Sequence, residues 1–180
     1  MSKFLEDTNI ECRRPGKYGL RVSVPIVGCM SFGDPEPMPC SNDLLSGPLP
    51  FFWAVKLVQA KDYQNQLCLS RTAMFNQVGA SLKRPVTDYI DGWQIHRFEP
   101  NTPAEETRKP PHHLVQSGKV CYIGASSMWA TQFVQPQFNG WTKFINMQNH
   151  HSLFYRQEER EMNRFCNDAG VGLISFASLP

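Results

Sequence analysis

The sequence is poor in charge, has no long apolar run and shows no close pairing of cysteines. Charged residues make up 19% of the 180, and the net charge of +2 is spread over isolated basic pairs, which argues against a nucleic-acid or lipid surface. The strongest apolar stretch, 49–55, contains Pro50. It falls far short of the roughly 18 residues needed to cross a bilayer. We therefore expect a soluble protein with neither a membrane nor a nucleic acid as partner.

The cysteines and histidines give no sign of disulfide or metal chemistry. None of the six cysteines stands in C-x-x-C spacing, and the start, MSKFLEDTNI, has no apolar signal core. Both features favour free thiols in the reducing cytoplasm. The adjacent pairs His112-His113 and His150-His151 are poorly placed as ligands, because neighbouring side chains diverge on a strand. We expect no metal site.

Length and apolar content predict one domain, residues 1–180, since 41% apolar residues suffice for a single core. A complete eight-stranded α/β barrel has about 250 residues and rarely fewer than about 200. A barrel built from this chain is therefore expected to be incomplete.

Apolar strand patterns alternate with helical patterns along the chain, which predicts a parallel sheet with right-handed crossovers. Between them, 34–50 carries five prolines and is expected to be loop. The pattern predicts six strands, at 22–30, 54–60, 89–96, 120–126, 144–148 and 171–176.

Helix signals differ in strength. Ser70 is placed to cap a helix that runs to Leu82. The helix that starts at Pro103 is expected to be interrupted by Pro110-Pro111, because an internal proline costs about 3 kcal/mol. Pro136 is expected to weaken a helix over 128–138. The best helix is predicted over 156–169, with Gly170 as its stop.

Three strings combine an apolar run with terminal polar groups, as strands of a parallel barrel do: DYIDGWQIHR (88–97), IGASSM (123–128) and FINMQN (144–149). Together with 10–30 and 69–179, they resemble the aldo-keto reductases, and most closely the fungal branch that includes versiconal hemiacetal acetate reductase. The resemblance implies an α/β fold, a partial (β/α)8 TIM barrel. It also implies NADP(H)-dependent reduction of a small aldehyde or ketone in fungal secondary metabolism.

In this family a tyrosine donates a proton to the substrate oxygen, a lysine and an aspartate tune it, and a histidine orients the carbonyl. His96 matches the histidine, and Lys61 is the nearest match to the lysine, with Lys56 second. Only 39–42 resembles the end of the segment that carries the tyrosine, with Cys40 in the tyrosine's place. The resemblance thus implies that the first helix and second strand are deleted and that the catalytic tyrosine and aspartate are absent.

The cofactor side matches better. The resemblance assigns Ser126 and Ser127 to the nicotinamide carboxamide, Gln148 to a third amide contact and Phe176 to stacking on the nicotinamide ring. The eighth strand and the basic loop that would hold the 2′-phosphate are expected to be missing.

Three hypotheses about function follow from these residues. The first is the reductase. The second is a catalytically inactive, truncated remnant or pseudoenzyme that acts through protein association, because open sheet edges invite self-association. The third uses Cys40 or Cys29 as a nucleophile with His96, although no third orienting group is evident.

Overall fold

The computed structural model of the chain describes residues 11–24, 26, 52–55, 69–83, 88–100, 102–138 and 140–178. Its centre is a five-stranded, all-parallel sheet in which sequence order and spatial order agree. The strands are β3 (Phe52–Val55), β4 (Ile90–Ile95), β5 (Val120–Ser126), β6 (Asn146–His150) and β7 (Gly172–Phe176). The connecting helices are α1 (Arg71–Leu82), α2 (Ala104–Gln116), α3 (Ala130–Phe138) and α4 (Met162–Ala169). The predicted α/β class with a parallel sheet is confirmed.

A hairpin precedes the sheet. Strands β1 (Glu11–Arg13) and β2 (Val22–Val24) pair antiparallel, with Glu11 opposite Val24. The prediction that 22–30 is the first barrel strand is wrong for Val22–Val24, which pair with β1 and not with the parallel sheet. Residues 25 and 27–30 lie outside the described part. The predicted loop at 34–50 does so too, as does most of the predicted strand at 54–60.

The hairpin loop is fixed to the start of β7, at the opposite end of the sheet from the strand carboxyl termini. Lys17 N–H donates to the Gly170 carbonyl over 3.0 Å, and Gly16 forms an isolated antiparallel bridge with Val171. Gly16 has φ +74°, and a β-carbon there would lie 2.6 Å from the Gly172 nitrogen. Only glycine fits this contact without strain.

Two helix predictions are wrong. Helix α2 continues through Pro110 and Pro111, both of which are buried. The prolines remove two backbone donors, but the helix packs against α1 and β5 and buries Leu114 completely. Packing therefore outweighs local propensity.

The predicted single helix over 156–169 is divided. Gln157–Arg160 form a 3-10 turn, Glu161 breaks the helical path at φ −141° and ψ −58°, and α4 follows. Gly170 ends α4 in the left-handed conformation at φ +70°, as predicted.

The sheet separates an apolar face from a polar one. Alternate residues of β4 to β6 pack with the helices in the main core: Trp93, Ile95, Ile123, Ala125 and Met147. The positions between them project to the opposite face, because side chains alternate along a strand. That face carries the amide side chains of Gln94, Asn146 and Gln148. None of the described helices is long and apolar enough to cross a membrane.

Candidate functional site

The carboxyl ends of four neighbouring strands lie along one edge of the sheet. Ser126 ends β5 and stands opposite Gln148 of β6, and Phe176 ends β7 opposite His150. His96 directly follows β4 and is half-buried. In a parallel α/β fold this edge is the usual position of a ligand site.

A strained serine links the ends of β5 and β6. Ser127 has φ +48°, a left-handed conformation that non-glycine residues rarely adopt. Its N–H donates to the Gln148 carbonyl at 3.2 Å and to Oδ1 of Asn149 at 3.0 Å. The hydroxyl oxygens of Ser126 and Ser127 lie 3.3 Å apart. Hydrogen bonds across the strand ends thus hold Ser127 against β6, and strain of this kind is typical of functional sites.

Three amide side chains form a hydrogen-bonded row beneath this edge. Gln94, which is 1% exposed, donates from Nε2 to Oε1 of Gln148 at 2.8 Å and to the Ala125 carbonyl at 3.3 Å. Its Oε1 accepts from Nδ2 of Asn146 at 3.1 Å. Each buried polar group of Gln94 therefore has a partner. Gln94 and Asn146 were not predicted as site residues, although a glutamine between Trp93 and Ile95 in a buried strand is a signal for such a network.

Aromatic rings form a wall at the β6 and β7 ends. The ring of His150 stacks on that of Phe176 at 5.5 Å and on that of Tyr155 at 4.4 Å, with interplanar angles of 23° and 14°. Phe176 is thus held from one side by His150, a contact that the sequence did not reveal.

A cleft of about 750 Å³ opens beside this wall, within the usual range for small-molecule sites. Segments that follow β4, β5 and β6 contribute to it, as does the last residue of β7. Its lining includes Arg97, Phe98, Ser127, Trp129, Gln132, His150, Tyr155, Glu158, Arg160, Glu161 and Phe176. Of the predicted site residues, Ser127 and Phe176 therefore face the cleft directly.

Charged side chains hold the segment after β6 beside the cleft. Asn149 donates from Nδ2 to Oε2 of Glu158 at 3.1 Å. Burial raises the pKa of Glu158, and His151 opposes that shift. Hydrogen bonds from Arg156 and then His151 lower the pKa of the exposed Glu159 to about 2. The loop therefore has two carboxyl groups with opposite shifts.

Several predicted residues lie outside the described part of the chain: Lys61, Lys56, Cys40 and Cys29. Among the described cysteines, burial raises the pKa of Cys121 and raises that of Cys166 to about 12. Neither thiol is activated, because a nucleophilic cysteine needs a lowered pKa. No group of three His, Cys, Asp or Glu residues that could hold a metal occurs in the described ranges.

Comparison with known proteins gives one family and several fungal relatives. The model of the aldo/keto reductase family matches residues 50–180. The aldo-keto reductase AFTS1 of Alternaria alternata is 59% identical over 125 residues, which cover 67% of this chain and 34% of that protein. An aldo-keto reductase of Fusarium vanettenii is 57% identical over 125 residues, again 67% of this chain and 34% of the relative.

Versiconal hemiacetal acetate reductase of Aspergillus parasiticus is 49% identical over 120 residues, which cover 64% of this chain and 35% of that protein. The chain therefore matches about a third of the length of these relatives.

Proposed function

Because this chain belongs to the aldo/keto reductase family, whose fold is the (β/α)8 barrel, we propose that it is an oxidoreductase. In this proposal residues 1–180 form one domain that binds NADP(H) and reduces an aldehyde or ketone to an alcohol. The observation that carries the proposal is the edge at the ends of β5, β6 and β7. It combines paired hydroxyls, an ordered amide and a held aromatic ring, and of these residues Ser127 and Phe176 line the cleft.

The side chains at this edge fit a nicotinamide chemically. A carboxamide offers one oxygen acceptor and two N–H donors. The hydroxyls of Ser126 and Ser127 can donate and accept, and the amino group of Gln148 can donate. Phe176 offers an aromatic surface, and offset stacking of such rings contributes about 0.5 to 1.5 kcal/mol. These four residues are our proposed cofactor contacts.

NADPH, when bound, supplies a hydride to the carbonyl carbon. The chain's own contribution is to hold the carbonyl oxygen, where negative charge develops, and to deliver a proton there. We assign His96 to orienting or polarising that oxygen, because it follows β4 at the same edge as Ser126. We assign Lys61 to tuning the proton donor on the family resemblance alone.

The substrate class comes from the relatives. The name of the Aspergillus parasiticus protein gives its substrate as versiconal hemiacetal acetate. We extend this to a carbonyl compound of fungal secondary metabolism, and the apolar lining contributed by Trp129, Tyr155 and Phe98 supports a substrate with aromatic surface. We place the reaction in the cytoplasm, because Cys12, Cys121 and Cys166 are free thiols.

Thermal unfolding with increasing NADPH tests the proposal. A ligand that binds only the folded state adds about 2.7 kcal/mol at 100 times its dissociation constant. For a chain of this size that corresponds to a rise in Tm of about 5 to 10 °C. Phe176→Leu should reduce the rise, whereas Leu173→Ala on the same strand should leave it unchanged. A Tm that is indifferent to NADPH contradicts the proposed cofactor.

Absorbance at 340 nm, with aromatic aldehydes and ketones as substrates, then measures NADPH oxidation. His96→Asn should lower the rate more than it lowers NADPH affinity, because His96 acts on the substrate oxygen. Equal loss of both quantities would contradict its role.

A second candidate is a catalytically inactive protein that associates with itself. Within the described residues, β3 and β7 each pair with a single strand of the parallel sheet, and an unpaired edge offers backbone donors and acceptors to another chain. Size-exclusion chromatography with light scattering separates the readings. Oligomers without NADPH binding support association, and a monodisperse monomer contradicts it.

A further inference from the structure

The row of amides beneath the candidate site has a fixed direction. We propose that Gln94 is a positioning residue: it holds the oxygen of the Gln148 carboxamide inward, so that Gln148 presents its Nε2 amino group to the carbonyl oxygen of the nicotinamide carboxamide. The inference rests on the proposed function for its ligand. It goes beyond that function because it assigns a role in recognition of the cofactor to Gln94 and Asn146, neither of which lines the cleft.

The direction follows from one backbone atom. The carbonyl oxygen of Ala125 can only accept a hydrogen bond, so the side-chain atom of Gln94 that lies 3.3 Å from it is the amino nitrogen. The same nitrogen lies 2.8 Å from Gln148. The facing atom of Gln148 must therefore be its oxygen. The alternative orientation of Gln148 would place two donors against each other.

Asn146 closes the other end of the row. The oxygen of Gln94, which points away from Ala125, lies 3.1 Å from Asn146, so Asn146 must present its amino nitrogen. Reversal of Gln94 would put its oxygen against the Ala125 carbonyl and its amino group against that of Asn146. Gln94 and Asn146 are both 1% exposed. Bulk solvent therefore does not reach a reversed amide there, and leaving such buried groups unpaired costs about 1 to 3 kcal/mol each.

Gly124 makes this arrangement sterically accessible. It pairs with Asn146 across β5 and β6 and with Gln94 across β4 and β5. A β-carbon at Gly124 would overlap the Asn146 carboxamide. The glycine thus leaves the space in which Asn146 reaches Gln94.

Gln148 is half-buried at the strand end, and a glutamine there would otherwise rotate freely and present either end. With its oxygen bonded to Gln94 and turned inward, the side chain presents its amino group to a ligand. The group opposite Gln148 in the complex is then a hydrogen-bond acceptor, which the carbonyl oxygen of a carboxamide supplies.

Gln94→Met tests the proposal, because it conserves volume and removes both the donor and the acceptor. The probes are NADPH and 2′-phospho-ADP-ribose, which is the same molecule without the nicotinamide, and calorimetry measures both affinities. We expect NADPH to bind about tenfold more weakly and the phosphorylated ADP-ribose to change less than twofold. In a Gln148→Met background, Gln94→Met should have no further effect on NADPH. Equal loss for both probes, or full additivity of the two substitutions, would overturn the positioning role.

A measurement without ligand keeps this inference separate from the proposed function. In the wild-type protein the side-chain amide of Gln148, assigned by its loss in Gln148→Met, should give an ordered ¹H–¹⁵N pair in NMR relaxation. Gln94→Met should make this amide mobile. Asn146→Ala, which removes one hydrogen bond to Gln94, should make it partly mobile. This second variant replaces Gln94→Met in the test if Gln94→Met does not fold. A Gln148 amide that stays ordered in the variants overturns the proposal. A released amide in a protein that never binds NADPH upholds the positioning by Gln94 and overturns the proposed function alone.

Discussion

The carboxamide of Asn146 occupies the space in which a β-carbon on Gly124 would stand. Gly124→Ala must therefore displace Asn146 from Gln94 or spread β5 from β6. We expect the free energy of unfolding to fall by about 1 to 3 kcal/mol, the usual cost of overpacking a core. Unfolding in urea, monitored by circular dichroism, measures this change in the free energy of unfolding.

Gly79→Ala is the matched control for that substitution. Gly79 lies inside α1, and a β-carbon there would meet nothing within 4 Å. Because alanine favours the helix over glycine, this variant should be more stable by about 0.5 to 1 kcal/mol. If both variants were equally stable, Gly124 would not be a packing requirement.

Ser70 begins α1 by accepting a hydrogen bond at its hydroxyl from Ala73 N–H over 3.2 Å. Ser70→Ala should lower the free energy of unfolding by about 1 kcal/mol, because a helix N–H loses its partner. Ser81→Ala, in the last turn of the same helix, should be neutral or slightly stabilising. An unfolding midpoint for Ser70→Ala that matched the Ser81→Ala midpoint would contradict the capping role.

The thiols should differ in reactivity. Cys166 is completely buried and its pKa is raised to about 12, whereas Cys12 is exposed. At pH 8 only about one Cys166 in ten thousand would be a thiolate, the form that reacts with iodoacetamide. Peptide mass spectrometry should show Cys12 modified at least about a hundredfold faster. Denaturation in urea should make the rates similar, and equal rates in the native protein would contradict the buried position of Cys166.

Acid should release the loop held by Glu159. Its pKa in the folded protein is lowered to about 2 by Arg156 and His151, from an ordinary value of 4.5. The stabilisation is therefore complete above about pH 4.5 and disappears as the pH falls towards about 2. In a comparison of Tm across this range, wild type should exceed Glu159→Gln near pH 6 and lose that advantage near pH 2. If the difference in Tm between wild type and Glu159→Gln stayed constant across this pH range, the carboxylate charge would have no part in the stabilisation.

The sequence predicted those elements whose signals are local. Strand β5 was expected at 120–126 and has those bounds, and the Ser70 cap and the Gly170 stop are where the pattern placed them. Each of these depends on residues within one turn or one strand. The error over α2 has a different origin. Pro110-Pro111 were judged by their cost in an isolated helix, while burial against α1 and β5 decides the outcome.

The site was predictable only as far as the motifs reached. Ser126, Ser127, Gln148 and Phe176 lie along one edge, but Gln94 and His150 were not expected as their supports. The side-chain hydrogen bonds that join Gln94 to Asn146 and to Gln148 link residues 52 and 54 positions apart. They depend on the register of three strands, and strand alternation gives the face of a side chain but not its neighbour on the next strand. Aromatic stacking of His150 on Phe176 requires the same information.

The parallel register also sets the time course of folding. The paired positions are separated in sequence by 22 residues for Gly124 with Asn146 and by 40 for Phe52 with Gly92. To pair two strands of this sheet, the chain must first bring together the ends of the crossover segment between them. The conformational entropy of that segment is therefore lost before the hydrogen bonds between the strands form. By contrast, Glu11 and Val24 of the hairpin are only 13 residues apart. The hairpin should therefore form within microseconds, while the sheet and the ligand edge that depends on it assemble over about milliseconds to seconds.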